Sequence, residues 1–394
     1  MRLLVFRFSA MGDVALLAPV LSALARAYPN LSITLVTRKA FEPFFYNLPG
    51  VEVIGVDVDR DYRGLRGLYR LFRELKILGP YNYGIDIHGS ARSRVLKFFF
   101  RLSGLRFATL VKGRREKLAM TRRKNKIRQP LPHMVERYMR VFERAGVKAR
   151  IGQGPYINPD THSRALAKRY LNHEGIERRE GYWIGIAPFA KHPTKTWPLR
   201  HTTALIRMIR ENTDARIFLY GGGPEEVAAL GKIQGEFPGV NVVAGKLSLE
   251  GEMALILKMD VMIVMDSFNM HLASLLGTKV LSIWGPTHHY LGFGPYGRDE
   301  SSIMEISPSK LPCRPCSVFG NKPCARKDLA CLNWITPRMV YDHLMQLLKE
   351  SPESESRTEA IDDEPADSEL PTQPQNSLGT GRRYSEPERS ASNL

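Results

Sequence analysis

Asp13 stands between an apolar run, Leu3 to Phe8, with its short loop, Ser9 to Gly12, and an apolar stretch, Val14 to Tyr28, that reads as a helix. A carboxylate on such a lip can take the proton of a hydroxyl held within hydrogen-bond reach, as a general base does. It can equally serve as a first-turn acid that favours a helix N-terminus. Further segments place polar residues at the ends of buried strands, where open α/β sheets bind ligands. PFAKHPTKTWPLR, Pro188 to Arg200, offers Lys191 and Lys195 as cations suited to a diphosphate. In YGGGPEE, Tyr220 to Glu226, glycines let a ligand approach the backbone, and Glu225 is placed to accept from ribose hydroxyls. In VMDSFNMHLASLLG, Val264 to Gly277, Asp266 ends a strand and Ser267 takes an N-cap position. His271 falls in the first turn of the helix that follows, whose free N–H groups make an anion site. SIWGPTHHYLGFGPYG, Ser282 to Gly297, adds Thr287 and two histidines. Capping accounts for any one of these segments, but not for several converging on one cleft.

VDVD, Val56 to Asp59, has a D-x-D spacing that can hold a divalent ion on a diphosphate. It lies away from the cationic loops, and no residue is assigned to a metal there or elsewhere. The four cysteines all fall between Cys313 and Cys331, spaced C-x2-C-x7-C-x6-C. In a reducing compartment that pattern leaves a structural zinc site, or reduced or redox-active thiols.

The formal net charge of +17 calls for an acidic partner: nucleic acid, an anionic membrane surface or a phosphorylated substrate. Between Arg92 and Arg128 fourteen Lys and Arg face a single acid, Glu116, and Arg92, Arg122, Arg123 and Lys124 are candidate anion-binding residues. No nucleic-acid recognition motif accompanies them, so no nucleic-acid partner is expected. A dinucleotide-dependent oxidoreductase would carry G-x-G-x-x-G after a first strand, and neither half does. No apolar run approaches the ~20 residues of a membrane span. Arg7, Ser9 and Asp13 break the N-terminal apolar stretch too early for a signal peptide, so a cytoplasmic location is expected.

The elements that must position these residues alternate. Strands are expected at Arg2–Phe8, Ser32–Val36, Val51–Val56 and Tyr83–Ile87, with helices at Val14–Tyr28, Tyr62–Leu78 and His133–Ala145. The pattern loosens near Ile157 and starts afresh at Tyr182 after a polar helix, Ser163–Gly175. Strands then fall at Ala215–Tyr220, Val240–Val243, Val261–Met265 and Lys279–Ile283. The helices between them are Thr202–Glu211, Glu225–Glu236, Glu250–Met259 and Met270–Leu276. This predicts two doubly wound α/β domains, 1–160 and 181–349, facing a cleft. The stretch 350–394 is rich in Ser, Pro and acids and is expected to be a disordered tail.

The chain resembles the ADP-heptose–lipopolysaccharide heptosyltransferases over roughly residues 1–349. The resemblance rests on SAMGDVALLAP, YGIDIHGSARS, HMVERY, KTWP, YGGGPEE, GKLSLEGEMALI, DSFNMHLASLLG and WGPT, in that order. It implies a GT-B fold and transfer of a heptose from a nucleotide diphosphate to the lipopolysaccharide inner core, with inversion and without cofactor or essential metal. It further implies Asp13 as general base and Lys195 on the donor phosphates. Glu225 would hold the ribose, Leu247 would pack against the adenine, and Asp266, Ser267 and His271 would bind diphosphate and sugar. An acceptor of that kind is lipid-linked and anionic, which suits the basic segment and implies peripheral attachment to the inner face of the inner membrane. The family's glycine after Asp-Ser/Thr is replaced here by Phe268, which is expected to restrict the backbone and reshape the sugar pocket. A related enzyme using another nucleotide sugar, or another cell-surface glycan acceptor, is the alternative.

Overall fold

Runs such as Leu3-Leu4-Val5-Phe6 and Val261-Met262-Ile263-Val264-Met265 are apolar on both faces, as strands covered by helices on each side must be. In the computed structural model they are the central strands of two parallel sheets. The structure describes residues 1–178 and 181–349, and the tail expected at 350–394 lies outside them. The first sheet has β1 (Arg2–Phe6), β2 (Ser32–Arg38), β3 (Val51–Val56), β4 (Tyr83–Asp86) and β5 (Phe107–Thr109) in the order β3-β2-β1-β4-β5. Its helices are α1 (Met11–Ala15), α2 (Ala18–Ala27), α3 (Gly64–Ile77), α4 (Ala91–Leu102), α5 (Arg114–Thr121) and α6 (Met134–Glu143). After α7 (Thr161–His173) come β6 (Trp183–Ala187), α8 (Leu199–Asn212), β7 (Arg216–Leu219), α9 (Pro224–Glu236) and β8 (Asn241–Val242). Then follow α10 (Leu249–Ile256), β9 (Val261–Met265), α11 (Phe268–Leu276), β10 (Lys279–Trp284) and β11 (Ile303–Glu305). Two helices, α12 (Ala330–Asn333) and α13 (Pro337–Lys349), close the described chain. The second sheet runs β11-β10-β9-β6-β7-β8.

In both sheets the winding reverses beside the first strand. β1 pairs with β2 on one side and β4 on the other, and β6 does the same with β7 and β9. Such reversals open a crevice at the strands' carboxyl ends. One apolar core runs through both halves, from Leu3, Val5 and Leu21 through Tyr138 and Phe142 to Met253, Leu272 and Trp284. Separate clusters fill the outer layers, one under α3 and α4 and one under α8 and α13. The connector between the halves is pinned where the Tyr156 and Ile157 N–H groups donate to the Leu275 carbonyl at 2.8 and 3.2 Å.

The helix expected at Val14–Tyr28 is two helices, broken at Leu16-Leu17. Pro19 sits in the first turn of α2, where its missing N–H costs nothing, but it cannot continue a helix from before. α4 and α5 lie inside the basic segment, where Arg and Lys mask the buried stripe of Ser93, Leu96 and Phe100.

Candidate active site

At the first switch point, Arg7 leaves the end of β1 almost fully buried, and its guanidinium pairs with Asp13 Oδ2 at 2.8 Å. Its Nη1 donates to the Ile87 carbonyl, and it stacks over the Tyr138 ring at 5.5 Å. The Tyr138 hydroxyl donates to the Asp13 main-chain oxygen at 3.1 Å. The Asp13 side chain is 29% exposed, so its carboxylate is held in place yet reachable. Beside it the Ser9 hydroxyl and His88 Nε2 lie 3.2 Å apart. Burial, helped by the Arg7 charge, pushes the His88 pKa down to about 4, so this imidazole is neutral at pH 7. Lys112 and Lys117 bring positive charge into the field of Asp13. Lys117 is buried, with its ammonium 3.9 Å from the centre of the Phe293 ring. Burial, then the neighbouring Arg137 charge, lowers its pKa to about 8.

At the second switch point, Asp266 ends β9 and gathers two donors on one oxygen. Lys195 Nζ stands 3.2 Å from Oδ2, and the Thr287 hydroxyl donates to it at 2.7 Å. Ser267 occupies the N-cap of α11, but its side chain makes no capping bond. Its Oγ and the Nδ1 of His271 are buried without a hydrogen-bond partner. Two such polar atoms at a helix N-terminus are what an anionic ligand would satisfy. Burial lowers the His271 pKa, against the fields of Asp266 and Asp13. The two switch points touch here. A Cβ on Gly12 would lie 2.8 Å from His271 Cδ2, so only glycine lets the imidazole pack against α1.

Phe268 does not strain the chain. It is the first residue of α11, is not among the described residues with left-handed φ, and its ring packs against Phe44 of the first half at 5.8 Å between centroids. The backbone keeps the ordinary φ to which a side chain restricts it, and the ring fills space between the halves.

The remaining candidates disperse. Lys191 is exposed in the loop before Lys195, and Glu225 is exposed in the first turn of α9. Its neighbour Glu226 is occupied, accepting from the Gly222 N–H at 2.8 Å. Leu247 is half-buried against the N-terminal turn of α10. Arg92 pairs with Asp59 at 2.5 Å, and Arg38 holds the other oxygen of Asp59 at 2.7 Å. Asp57 closes a turn by accepting from the Asp59 and Arg60 N–H groups, so the D-x-D acids are both engaged. Arg122, Arg123 and Lys124 are exposed just beyond α5. The sequence reading singled out none of Arg7, His88, Lys112, Lys117 or Tyr138. Arg7 had a signal, a cation directly after a buried strand. The lysines did not stand out among fourteen bases.

His288, His289 and Glu305 bring three ligand-type atoms within 4.8 Å of one another. Glu305, however, is already paired with the fully buried Arg314 at 3.0 Å and with His288 at 3.1 Å. Burial would raise the Glu305 pKa, but His288 at 3.1 Å, His289 close by at 3.6 Å and the Arg314 charge hold it well below the usual range. A compensated ion-pair cluster of this kind has little charge left for a metal ion. It lines a cavity of about 330 Å³ that takes in Arg128 and Tyr290 but not Asp13, Lys195 or His271.

Residues 68–321 match the model of glycosyltransferase family 9 (heptosyltransferase). The chain is 24% identical over 321 residues to the lipopolysaccharide core heptosyltransferase OpsX of Haemophilus influenzae, covering 80% of this chain and 88% of that protein. In fold it is similar to a family 9 glycosyl transferase from Veillonella parvula, with a TM-score of 0.69, 20% identity, and 89% and 98% of the two chains covered. It is likewise similar to the Escherichia coli heptosyltransferase WaaC solved with ADP, with a TM-score of 0.61, 23% identity, and coverage of 88% and 100%.

Proposed function

The chain belongs to glycosyltransferase family 9, and from that premise we propose that it transfers a heptose from ADP-heptose to the inner core of lipopolysaccharide, inverting the anomeric centre without a metal in the chemical step. One observation carries this reading. A held carboxylate, Asp13, and an anion site with unpartnered Ser267 Oγ and His271 Nδ1 meet across Gly12. The acceptor hydroxyl attacks the anomeric carbon as its proton passes to Asp13. The bond to the diphosphate oxygen breaks on the opposite face, and its electron pair leaves with ADP. Lys195 and the N-terminus of α11 stabilise the charge growing on that oxygen. Arg7 fixes the carboxylate's orientation, and protein cations with a helix dipole do the work a metal would otherwise do.

Glu225 and Leu247 remain the residues we assign to ribose and adenine, with Lys191 at the edge of the diphosphate. On the acceptor side, Lys112 and Lys117 supply charge next to Asp13, with Arg92, Arg122, Arg123 and Lys124 further out. A lipid-linked acceptor also requires a face toward the bilayer. α3 and α4 supply exposed Leu65, Tyr69, Phe98 and Leu102 amid Arg66, Arg70, Arg73, Arg94 and Arg101. This mixture of apolar and basic side chains suits a peripheral contact with anionic lipid. No helix among the described residues is long and apolar enough to cross a membrane.

The test is thermal stability against ADP, ADP-heptose, UDP, GDP and their sugars. A ligand at a hundredfold excess over Kd adds about 2.7 kcal/mol. A shift with ADP and a larger one with ADP-heptose is expected. A shift with another nucleotide sugar alone moves the donor to the alternative reading.

A further inference from the structure

The four cysteines take no part in the chemistry above. Cys313, Cys316, Cys324 and Cys331 are all free thiols. Together they line one cavity of about 20 Å³, walled also by Arg314, Lys322 and Arg326. That is room for a single water-sized particle. The segment that carries the first three has almost no regular secondary structure, so no sheet or long helix accounts for their convergence. Of the basic groups beside them, Arg314 is paired with Glu305 and Arg326 with Asp328, while Lys126 lies in the field of Cys313 and Cys316. Four thiolates around a divalent ion would leave two net negative charges, which Lys126 would face.

We propose that Cys313, Cys316, Cys324 and Cys331 form a tetrahedral four-thiolate site for one divalent metal ion of zinc's class, with a structural role. On binding, four S–H protons go to solvent and four metal–sulfur bonds form, with no change of oxidation state. The sulfurs stand wider than ligand spacing and must converge to the ~2.3 Å metal–sulfur distance, which side chains on a loop allow. The loop they would fix touches the donor side. The Thr194 hydroxyl donates to the Gly320 carbonyl, and a Cβ at Gly320 would overlap the Lys195 stem. Lys126 donates to the Pro315 carbonyl, and Arg128 to those of Arg314 and Pro312, joining the loop to the first half. The metal-bound loop is thus a positioning element for Lys195. This last link rests on the donor reading above, whereas the metal site does not.

The experiment is elemental analysis of the purified full chain, kept reduced, together with thiol titration before and after a strong chelator. About one equivalent of zinc per chain is expected, with four thiols slow to react until the chelator is added. Cys316→Ser and Cys324→Ser are each expected to lose the metal and to weaken ADP binding several-fold. Less than about a tenth of an equivalent of metal, with thiols equally reactive with and without chelator, overturns the site. So do disulfides in the reduced preparation, or Cys→Ser variants that keep their metal. Should the serine variants fail to fold, the chelator experiment on the unaltered chain still decides. ADP that fails to bind the metal-loaded chain counts against the donor reading alone.

Discussion

Asp13 is held by a guanidinium that has few other options. Arg7 is buried, its Nε has no partner, and Asp13 is its charge partner among the described residues. Asp13→Asn keeps the shape and removes the base. It should lower kcat by ~10²–10⁴-fold, the usual range for such a group, and leave ADP affinity within about twofold by calorimetry. Equal losses in both would make Asp13 a structural acid. Lys117 lends itself to a pH test. Its folded pKa of about 8 lies below the ordinary 10.5, so burying the charged form costs stability. That cost is present in full below pH 8 and relieved as pH rises toward 10.5, where the unfolded chain alone still binds the proton. Lys117→Met should therefore stabilise the protein at pH 7, on the order of 1–2 kcal/mol once the lost contact with Phe293 is allowed for. In the unaltered enzyme the acceptor KM should rise above about pH 8, as the ammonium is lost, and the variant should show a high KM at every pH. At this scale the sequence was legible in position: Asp13, Asp266, Ser267 and His271 do stand at the strand ends and helix start where they were expected. It was silent on Lys112 and Lys117, whose distinction is burial beside Asp13 rather than residue type or spacing.

Among the elements, α1 and α11 meet end to end through Gly12 and His271. Gly12→Ala places a methyl 2.8 Å from His271 Cδ2, tighter than van der Waals contact, and the imidazole it meets is buried. The expected result is a loss of about 1–3 kcal/mol in stability and a larger proportional loss in kcat/KM, read by thermal unfolding and initial rates. A variant with unchanged turnover would show that the imidazole can move aside. The alternation of apolar runs with helical spacing made the longer strands and most helices legible, because parallel strands buried on both faces differ plainly from amphipathic helices, whereas the three-residue edge strands β5 and β11 were too short to read. The break between α1 and α2 was hidden by continuous apolar sequence across Leu16-Leu17, although Pro19 marked it. α4 and α5 were hidden by their own charge. In α4 a narrow buried stripe of Ser93, Leu96 and Phe100 is outnumbered by bases that face solvent or reach neighbouring acids.

For the whole molecule, the charge is apportioned rather than pooled. Of the basic segment, Arg92 holds Asp59, Lys97 lies 3.7 Å from Asp86, Lys117 stands near Asp13, and Lys126 and Arg128 bind carbonyls of the cysteine loop. The exposed remainder, Arg122, Arg123 and Lys124 among it, carries no such structural duty and is the part open to a membrane. Binding to vesicles containing anionic lipid should accordingly weaken with salt, since exposed charges are screened within ~8 Å at physiological ionic strength. Phe98→Ser with Leu102→Ser should reduce that binding further and leave turnover on a delipidated acceptor unchanged. Vesicle binding that ignores both salt and these residues would place the contact elsewhere.

The apolar core that passes from one sheet into the other has a consequence for modularity. Domains joined by a polar seam can be separated, swapped or expressed alone. Here the seam is interior: Leu21, Tyr138, Phe142, Met253 and Leu272 belong to one buried cluster. Residues 1–160 expressed alone should bind a hydrophobic dye and aggregate, while the intact chain does neither. Chimeras that trade one half for a relative's should fold only when the facing residues travel with it. The two halves are then a single heritable unit, and a change in either half in this lineage has to be matched by the residues facing it rather than made by exchanging one half whole.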